Sequence, residues 1–329
     1  MLEHGGRLRI AAQERGIPLA DWLDLSTGIN PFGWKPPAVP DSVWQRLPEE
    51  EDGLEEAATS YYGCGNLLPV PGSQSAIQAL PHLRAKRIVG VVHPIYQEHP
   101  QAWREQGHQI LEFSFSEVDD YLKQLDVLIL CNPNNPDGRL IPKSLLLSWA
   151  GILAEKGGWL IVDEAFMDAL PNEHSLLDNV GHPGLIILRS LGKFFGLAGA
   201  RVGFVMGERS ILDRLKASIG PWPISGPSRW IACQALMDRA WQKIMRITLD
   251  EQAVRAQKLL RTAGFSCNGE ALLFQFIECP DSESVREAFL THAILIRHFS
   301  GLGAIRLGLP GNVSDWLRLE AVIHQLNNS

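Results

Sequence analysis

Residues Arg189–Phe204 read RSLGKFFGLAGARVGF and continue the apolar run GLIIL that precedes them. A short, unbroken apolar run bounded by glycine has the pattern of a strand buried on both faces. Lys193 therefore stands just past the end of a strand, among glycine, phenylalanine and alanine. Such a lysine is either ordinary surface or a reactive amine held at the mouth of a sheet. The sequence on either side separates the two.

Four further runs share the pattern: Arg87–Pro94 (RIVGVVHP), Asp126–Pro133 (DVLILCNP), Gly158–Phe166 (GWLIVDEAF) and Arg201–Gly207 (RVGFVMG). After Pro133 comes KSLLLSWAGILAEKGG, spaced as a helix that ends at Gly157 and Gly158. Strand, helix and strand in succession predict an α/β fold whose central sheet is mainly parallel and covered on both faces. Beyond Gly207 the pattern changes. A helix over GERSILDRLKASIG stops at the proline-rich GPWPISGP, and a longer helical region runs from about Ser228 to Ala263. Alternating runs follow at Ala271–Cys279, Ala293–Phe299 and Ala304–Pro310, with a last helix from Ser314 to about Leu326. The expected division is an N-terminal arm, 1–45, contributing to the small domain; a large cofactor-binding domain, 46–220; and a small α+β domain, 221–329.

With 329 residues, 45% of them hydrophobic, the chain can bury a sizeable core. A net charge of −7 with dispersed basic residues speaks against a nucleic-acid surface. No apolar run approaches the ~20 residues that span a bilayer, and the opening MLEHGGRLRIAAQERG lacks a signal-type apolar segment. The five cysteines are scattered without a Cys-x-x-Cys pair, and the histidines show no ligand spacing. Reduced thiols in a cytoplasmic protein without a metal site are the expectation.

Ligands of an open parallel sheet bind beyond the carboxyl ends of its strands. There the sequence places Asn132–Gly138 (NPNNPDG), Asp163 with Glu164, Ser190 with Lys193, and Arg201. Upstream, Gly72-Ser73-Gln74 enters a helical pattern, offering free N–H groups and a positive helix end to a phosphate. Singly, each is an ordinary turn, cap or surface charge. In this order they form the elements NNP-x-G, D-E-A and S-x-x-K-x(7)-R, with Asp163 thirty residues before Lys193. That set resembles the pyridoxal-phosphate enzymes of the aspartate-aminotransferase fold (fold type I). The resemblance spans nearly the whole chain, from INPFG at Ile29–Gly33 to the arginines near the C-terminus.

The resemblance implies pyridoxal 5′-phosphate as cofactor and a role for each residue. Lys193 would be the Schiff-base lysine, and Asp163 would keep the ring nitrogen protonated, as an opposite charge at close range does. Asn135 would bond the ring hydroxyl oxygen and Tyr96 would stack on the ring. Gly72, Ser73, Gln74, Ser190 and Arg201 would hold the cofactor's phosphate. Arg306 would take the substrate carboxylate, a planar fork suiting it. Arg297, Asn30 and the His4-Gly5-Gly6 segment would complete the substrate site. A homodimer is implied as well.

Two groups in the family come nearest, the histidinol-phosphate aminotransferases and the threonine-phosphate decarboxylases of cobalamin biosynthesis. The HGG opening with DLSTGINPFG, Phe166 in DEAF, and GPWPIS at Gly220–Ser225 lean toward the decarboxylases, whose substrate is a small phosphorylated amino acid. Two positions depart from the family. Leu47-Pro48-Glu49 stands where a tyrosine often reaches a neighbouring subunit's cofactor, and Gly192 precedes the lysine in place of Ser or Thr. The same cofactor serves transamination and decarboxylation. Which bond breaks depends on the one held perpendicular to the ring, and the residues leave that open.

Overall fold

Every residue of VLILC, WLIVD and GFVMG is buried. The computed structural model, which describes residues 4–327, shows why. Its strands are, in chain order, β1 (Leu23–Asp24), β2 (Leu67–Val70), β3 (Ile88–Val92), β4 (Gln109–Phe113), β5 (Val127–Cys131), β6 (Trp159–Asp163), β7 (Leu185–Ser190), β8 (Gly203–Gly207), β9 (Cys267–Asn268), β10 (Phe274–Glu278), β11 (Ile294–Leu295), β12 (Arg297–Phe299) and β13 (Ala304–Gly308). A seven-stranded sheet runs in the order β2-β8-β7-β6-β5-β3-β4. Strands β3 to β7 are parallel, with Leu128 beside Leu160 and Val162 beside Ile187, while β8 is antiparallel to both of its neighbours. Successive side chains enter opposite cores. Leu128, Leu130, Leu160, Val162 and Ile187 fill one, and Val127, Ile129, Ile161, Ile186 and Leu188 fill the other. Each such side chain contributes about 1.5–3 kcal/mol by leaving water. Both faces being covered, the alternation that marks a half-exposed strand is absent.

A second sheet, β12-β13-β10-β9, is antiparallel, and the short β1 pairs in parallel with β11, so the N-terminal arm joins this part of the chain. Two expectations differ from what is found. The helical region expected from Ser228 to Ala263 is two helices, Gly226–Met237 and Arg239–Thr262. Asp238 parts them: its carboxylate accepts the Trp241 N–H at 3.0 Å and the Trp34 indole N–H at 3.0 Å, an N-cap and a tertiary contact at once. The run Ala293–Phe299 is not one strand but β11 and β12, which serve different partners. Gly226–Met237 also packs on the helix Leu54–Tyr62, so the chain on both sides of residue 220 meets there.

The arm matters most where it meets the lysine loop. Asn30 N–H donates to Lys193 O (3.1 Å), its amide donates to Phe194 O (2.7 Å), and Trp34 N–H donates to Phe195 O (2.8 Å). Asn30 Oδ1 accepts from Phe32 N–H at 2.8 Å. The two backbones touch so closely that a Cβ on Gly196, at φ +69°, would lie 2.6 Å from the Gly33 Cα. Replacing Asn30 by alanine orphans buried partners on both sides, at about 1–3 kcal/mol each. Asn30→Ala should lower the unfolding free energy by about 2–4 kcal/mol in a urea titration; a change within 0.5 kcal/mol, the usual range of surface substitutions, would mean that the arm is not a structural clamp.

Candidate active site

A cavity of about 290 Å³ opens where β5, β6 and β7 end. Asp163 is the last residue of β6 and Ser190 the last of β7; Lys193 follows on the loop that the arm clamps. Neighbouring strand residues point to opposite faces, so Asp163 enters the cavity while Glu164 turns away. Glu164 and Asp168 instead flank Arg189 in a buried network, with Arg189 Nη2 at 2.8 Å from Glu164 and Nη1 at 2.6 Å from Asp168. Burial pushes both carboxyl groups upward, against the opposing pull of Arg189. This network fixes β7 from behind and leaves its last residue free to face the site.

Asp163 is 6% exposed. Its Oδ1 accepts the Ala165 N–H at 3.0 Å, and its Oδ2 lies 3.0 Å from His99 Nε2. His99, Cys131 and Asp163 bring donor atoms within 4.8 Å of one another, with burial driving the Cys131 thiol upward. Lys193 Nζ donates to Thr27 O at 3.1 Å and sits 5.1 Å above the Phe166 ring. Burial first, and then the charge of Arg306, push this amine down to about 8, against the pull of Asp163. A lysine so placed has free base to offer near neutrality, as a carbonyl-binding amine requires.

Ser73, Gln74, Ser190 and Arg201 line the same cavity. The helix Ser73–Ala79 starts there, and Gly72, at φ +73°, lies beneath Arg201; a Cβ on Gly72 would come within 2.8 Å of Arg201 Nη2. Ser190 Oγ accepts the Gly192 N–H at 3.2 Å, and a Cβ on Gly192 would stand 3.3 Å from that oxygen. The Tyr96 hydroxyl, raised by burial, donates to Gln74 Oε1 at 3.2 Å. Arg306 is 6% exposed, donates to Asn135 Oδ1 and to Ser26 O (3.1 Å), and lies 4.7 Å above Phe274. Burial and then Arg297 lower its guanidinium to about 10. Among the described residues no carboxylate pairs with it.

Lys193, Asp163, Ser73, Gln74, Tyr96, Asn135, Ser190, Arg201, Arg297, Arg306, His4 and Gly5 are thus brought to one cavity. Asn30 stands apart, its side chain spent on the clamp. Gly6 does too, its N–H donating to Ser26 Oγ at 2.7 Å. Sequence reasoning passed over His99, Glu98, Ser26 and Thr27. His99 had one available signal, its place three residues after Tyr96 at the start of the helix Glu98–Glu105.

The model of aminotransferase classes I and II matches residues 20–324. The chain belongs to that family. It is 50% identical to a threonine-phosphate decarboxylase of Pseudomonas aeruginosa over 98% of this chain and 97% of the relative. A second relative of the same name, from a Sinorhizobium species, is 37% identical over 96% of each. The structure of a histidinol-phosphate aminotransferase of Sinorhizobium meliloti in complex with pyridoxal-5′-phosphate shares the fold at a TM-score of 0.85, with 19% identity over 99% of this chain and 95% of that one.

The donor set fits pyridoxal phosphate: an amine lowered toward neutrality, a buried carboxylate, and a glycine turn that a Cβ would fill against an arginine. The lowered amine has a consequence for the protein stripped of cofactor. Between about pH 8 and 10.5 the unfolded chain holds a proton on this lysine that the folded one does not, so its contribution to stability rises with pH across that window. Lys193→Met removes the cost of burying the charge. The apo-variant should exceed the apo-wild type in stability at pH 7 by at most about 3 kcal/mol, less for the water on the cavity's open side. Denaturant titrations should show this gap closing as pH rises toward 10.5; a gap that does not depend on pH would contradict the assignment.

Proposed function

We propose that the protein is a pyridoxal-phosphate-dependent threonine-phosphate decarboxylase. It converts L-threonine O-3-phosphate to (R)-1-amino-2-propanol O-2-phosphate and carbon dioxide, a step of cobalamin biosynthesis. One observation carries the reading. Lys193, Arg201, Arg297, Arg306 and His4 line a cavity in which Asp163 is the only acidic residue among those described. A cavity so charged suits a ligand set of several anions, here the cofactor's phosphate and the substrate's carboxylate and phosphate. Two full-length relatives carry the decarboxylase name, which favours this reaction over transamination.

When bound, the cofactor draws electrons from the bond that breaks at the substrate's Cα. The chain's residues do the rest. Asp163, oriented by His99 and the Ala165 N–H, would hold a proton on the ring nitrogen. Tyr96 would cover the ring, and Asn135 would meet its hydroxyl oxygen. Gly72, Ser73, Gln74, Ser190 and Arg201 would grip the cofactor's phosphate. Arg306 would receive the substrate carboxylate, with His4, Gly5 and Arg297 near the substrate's phosphate. Lys193 would hold the cofactor, and its Nζ is the proton donor at hand for the Cα that loses its carboxylate.

Incubation with L-threonine O-3-phosphate should release carbon dioxide, and borohydride should fix the cofactor on Lys193. Glutamate formation from histidinol phosphate and 2-oxoglutarate, without carbon dioxide from the first substrate, would reassign the reaction. Arg306→Ala should lower kcat/KM by about 2–4 kcal/mol equivalent, and Arg306→Lys should recover only part; unchanged kcat/KM in the alanine variant would remove Arg306 from the site.

The reading includes a homodimer in the cytoplasm. Supporting the dimer, Trp44, Leu47 and Trp222 expose large apolar side chains, 66%, 63% and 58% accessible, of the kind an interface covers. Among the described residues no helix is long and apolar enough to cross a membrane. Sedimentation should return about twice the 36.5 kDa chain mass; an active species at the chain mass would refute the dimer.

A further inference from the structure

Glu98 has no part in the chemistry described so far, yet its carboxylate is where three side chains converge. His4 Nε2 lies 2.6 Å from Oε1, and Oε2 accepts from Gln74 Nε2 at 2.7 Å and Gln78 Nε2 at 3.4 Å. Gln74 is fixed in turn by the Tyr96 hydroxyl on its Oε1, which leaves its Nε2 as the donor toward Glu98. Donors on both oxygens are what an ionised carboxylate, an acceptor only, requires. Glu98 is 17% exposed in its side chain, whereas His4 is 40% exposed.

The contact therefore ties a partly exposed residue of the N-terminal arm to a fixed point on the helix Glu98–Glu105. The arm has a second fastening where the Gly6 N–H meets Ser26 Oγ, which itself donates to Asp24 Oδ1 at 2.6 Å. Between the two fastenings Gly5 passes so near Ser26 that a Cβ would lie 2.5 Å from its carbonyl oxygen. The His4 ring leans on Tyr96, with ring centres 5.7 Å apart. With Nε2 engaged by Glu98, Nδ1 is the ring nitrogen without a hydrogen bond among the described residues. It is therefore the ring atom left to meet a ligand in the cavity that His4 lines.

We infer that Glu98 is a positioning residue that pins His4 across the cavity mouth and presents its ring to the substrate's phosphate. The inference rests on the reading of His4 as a phosphate ligand. It adds what makes that ligand effective: a carboxylate that never touches the substrate fixes the ring's position. An acidic residue beside an anion site would otherwise repel the anion, so its presence there needs the histidine between them.

The test measures KM and kcat for L-threonine O-3-phosphate at saturating pyridoxal phosphate in the wild type, Glu98→Gln, His4→Ala and the double variant. Glu98→Gln keeps the shape and replaces one of the two acceptor oxygens by a donor. KM should rise about tenfold in each single variant, with kcat within about twofold, and the double variant should be no worse than either. An unchanged KM in His4→Ala would defeat the phosphate reading of His4 itself. A raised KM in His4→Ala with no change in Glu98→Gln, or effects that multiply in the double variant, would defeat the role of Glu98 and leave that of His4 standing. A lower KM in Glu98→Gln would show that the carboxylate merely repels substrate. Should Glu98→Gln fail to fold, Glu98→Asp keeps the charge and loses the reach; its KM should rise as well, and an unchanged value would overturn the proposal.

Discussion

Hydrogen bonds between the arm Ser26–Trp34 and the loop Lys193–Phe195 set the position of everything else in the site. The loop leaves β7 with no sheet partner of its own, and the arm supplies the missing donors and acceptors. The contact runs both ways, because Lys193 Nζ donates to Thr27 O while Arg306 reaches Ser26 O from the far sheet. Two segments distant in sequence are thereby fastened to a few atoms of one strap. The INPFG stretch therefore serves as scaffold: its asparagine holds the residues that would hold the ligands.

The same enclosure explains the electrostatics. A cavity that gathers several cations around one carboxylate is costly to form without counter-charges, because buried charges lose their hydration. Arg306 drops to about 10 and Lys193 to about 8 for this reason, each aggravated by a neighbouring arginine. Anionic ligands would relieve that cost, which favours anions at this site. Behind the sheet the balance is reversed, with Arg189 between Glu164 and Asp168. That network keeps the excess positive charge on the cavity side.

The five strands nearest the site were legible in the sequence because each is buried on both faces. Those that escaped are of another kind. QILEF, β4, is an edge strand with its first residue exposed, and LLPV, β2, carries a proline that weakens the strand signal. The break at Asp238 was hidden because helical periodicity continues across it; the aspartate caps the second helix through the Trp241 N–H, and the indole of Trp34, two hundred residues away in sequence, holds its other oxygen. In the site, Lys193, Asp163, Asn135 and Arg201 stood at fixed places in a motif. His99 and Glu98 did not, because their roles depend on which partners folding brings to them. Asn30 shows the limit of a motif, since its side chain bonds the backbone of Phe194 and Phe32. Its motif was recognised, but a motif does not say whether an asparagine bonds a ligand or the backbone.

Decarboxylation and transamination ask different things of the amine in this cavity. Decarboxylation ends with a proton delivered to the carbon that has lost its carboxylate, whereas transamination first removes a proton from that carbon. An amine pushed down to about 8 exchanges its proton near neutrality, which suits it to either task. Phe166, the ring beneath it, has no hydroxyl with which to share or relay that proton. Tyr96 is held high by burial and already donates to Gln74, so it does not compete. In the proposed reaction proton delivery would fall to Lys193, the residue proposed to carry the cofactor. The arm, through Thr27 O, sets where that amine points. One segment of chain therefore governs how the site is enclosed, which anions it accepts and where its proton goes.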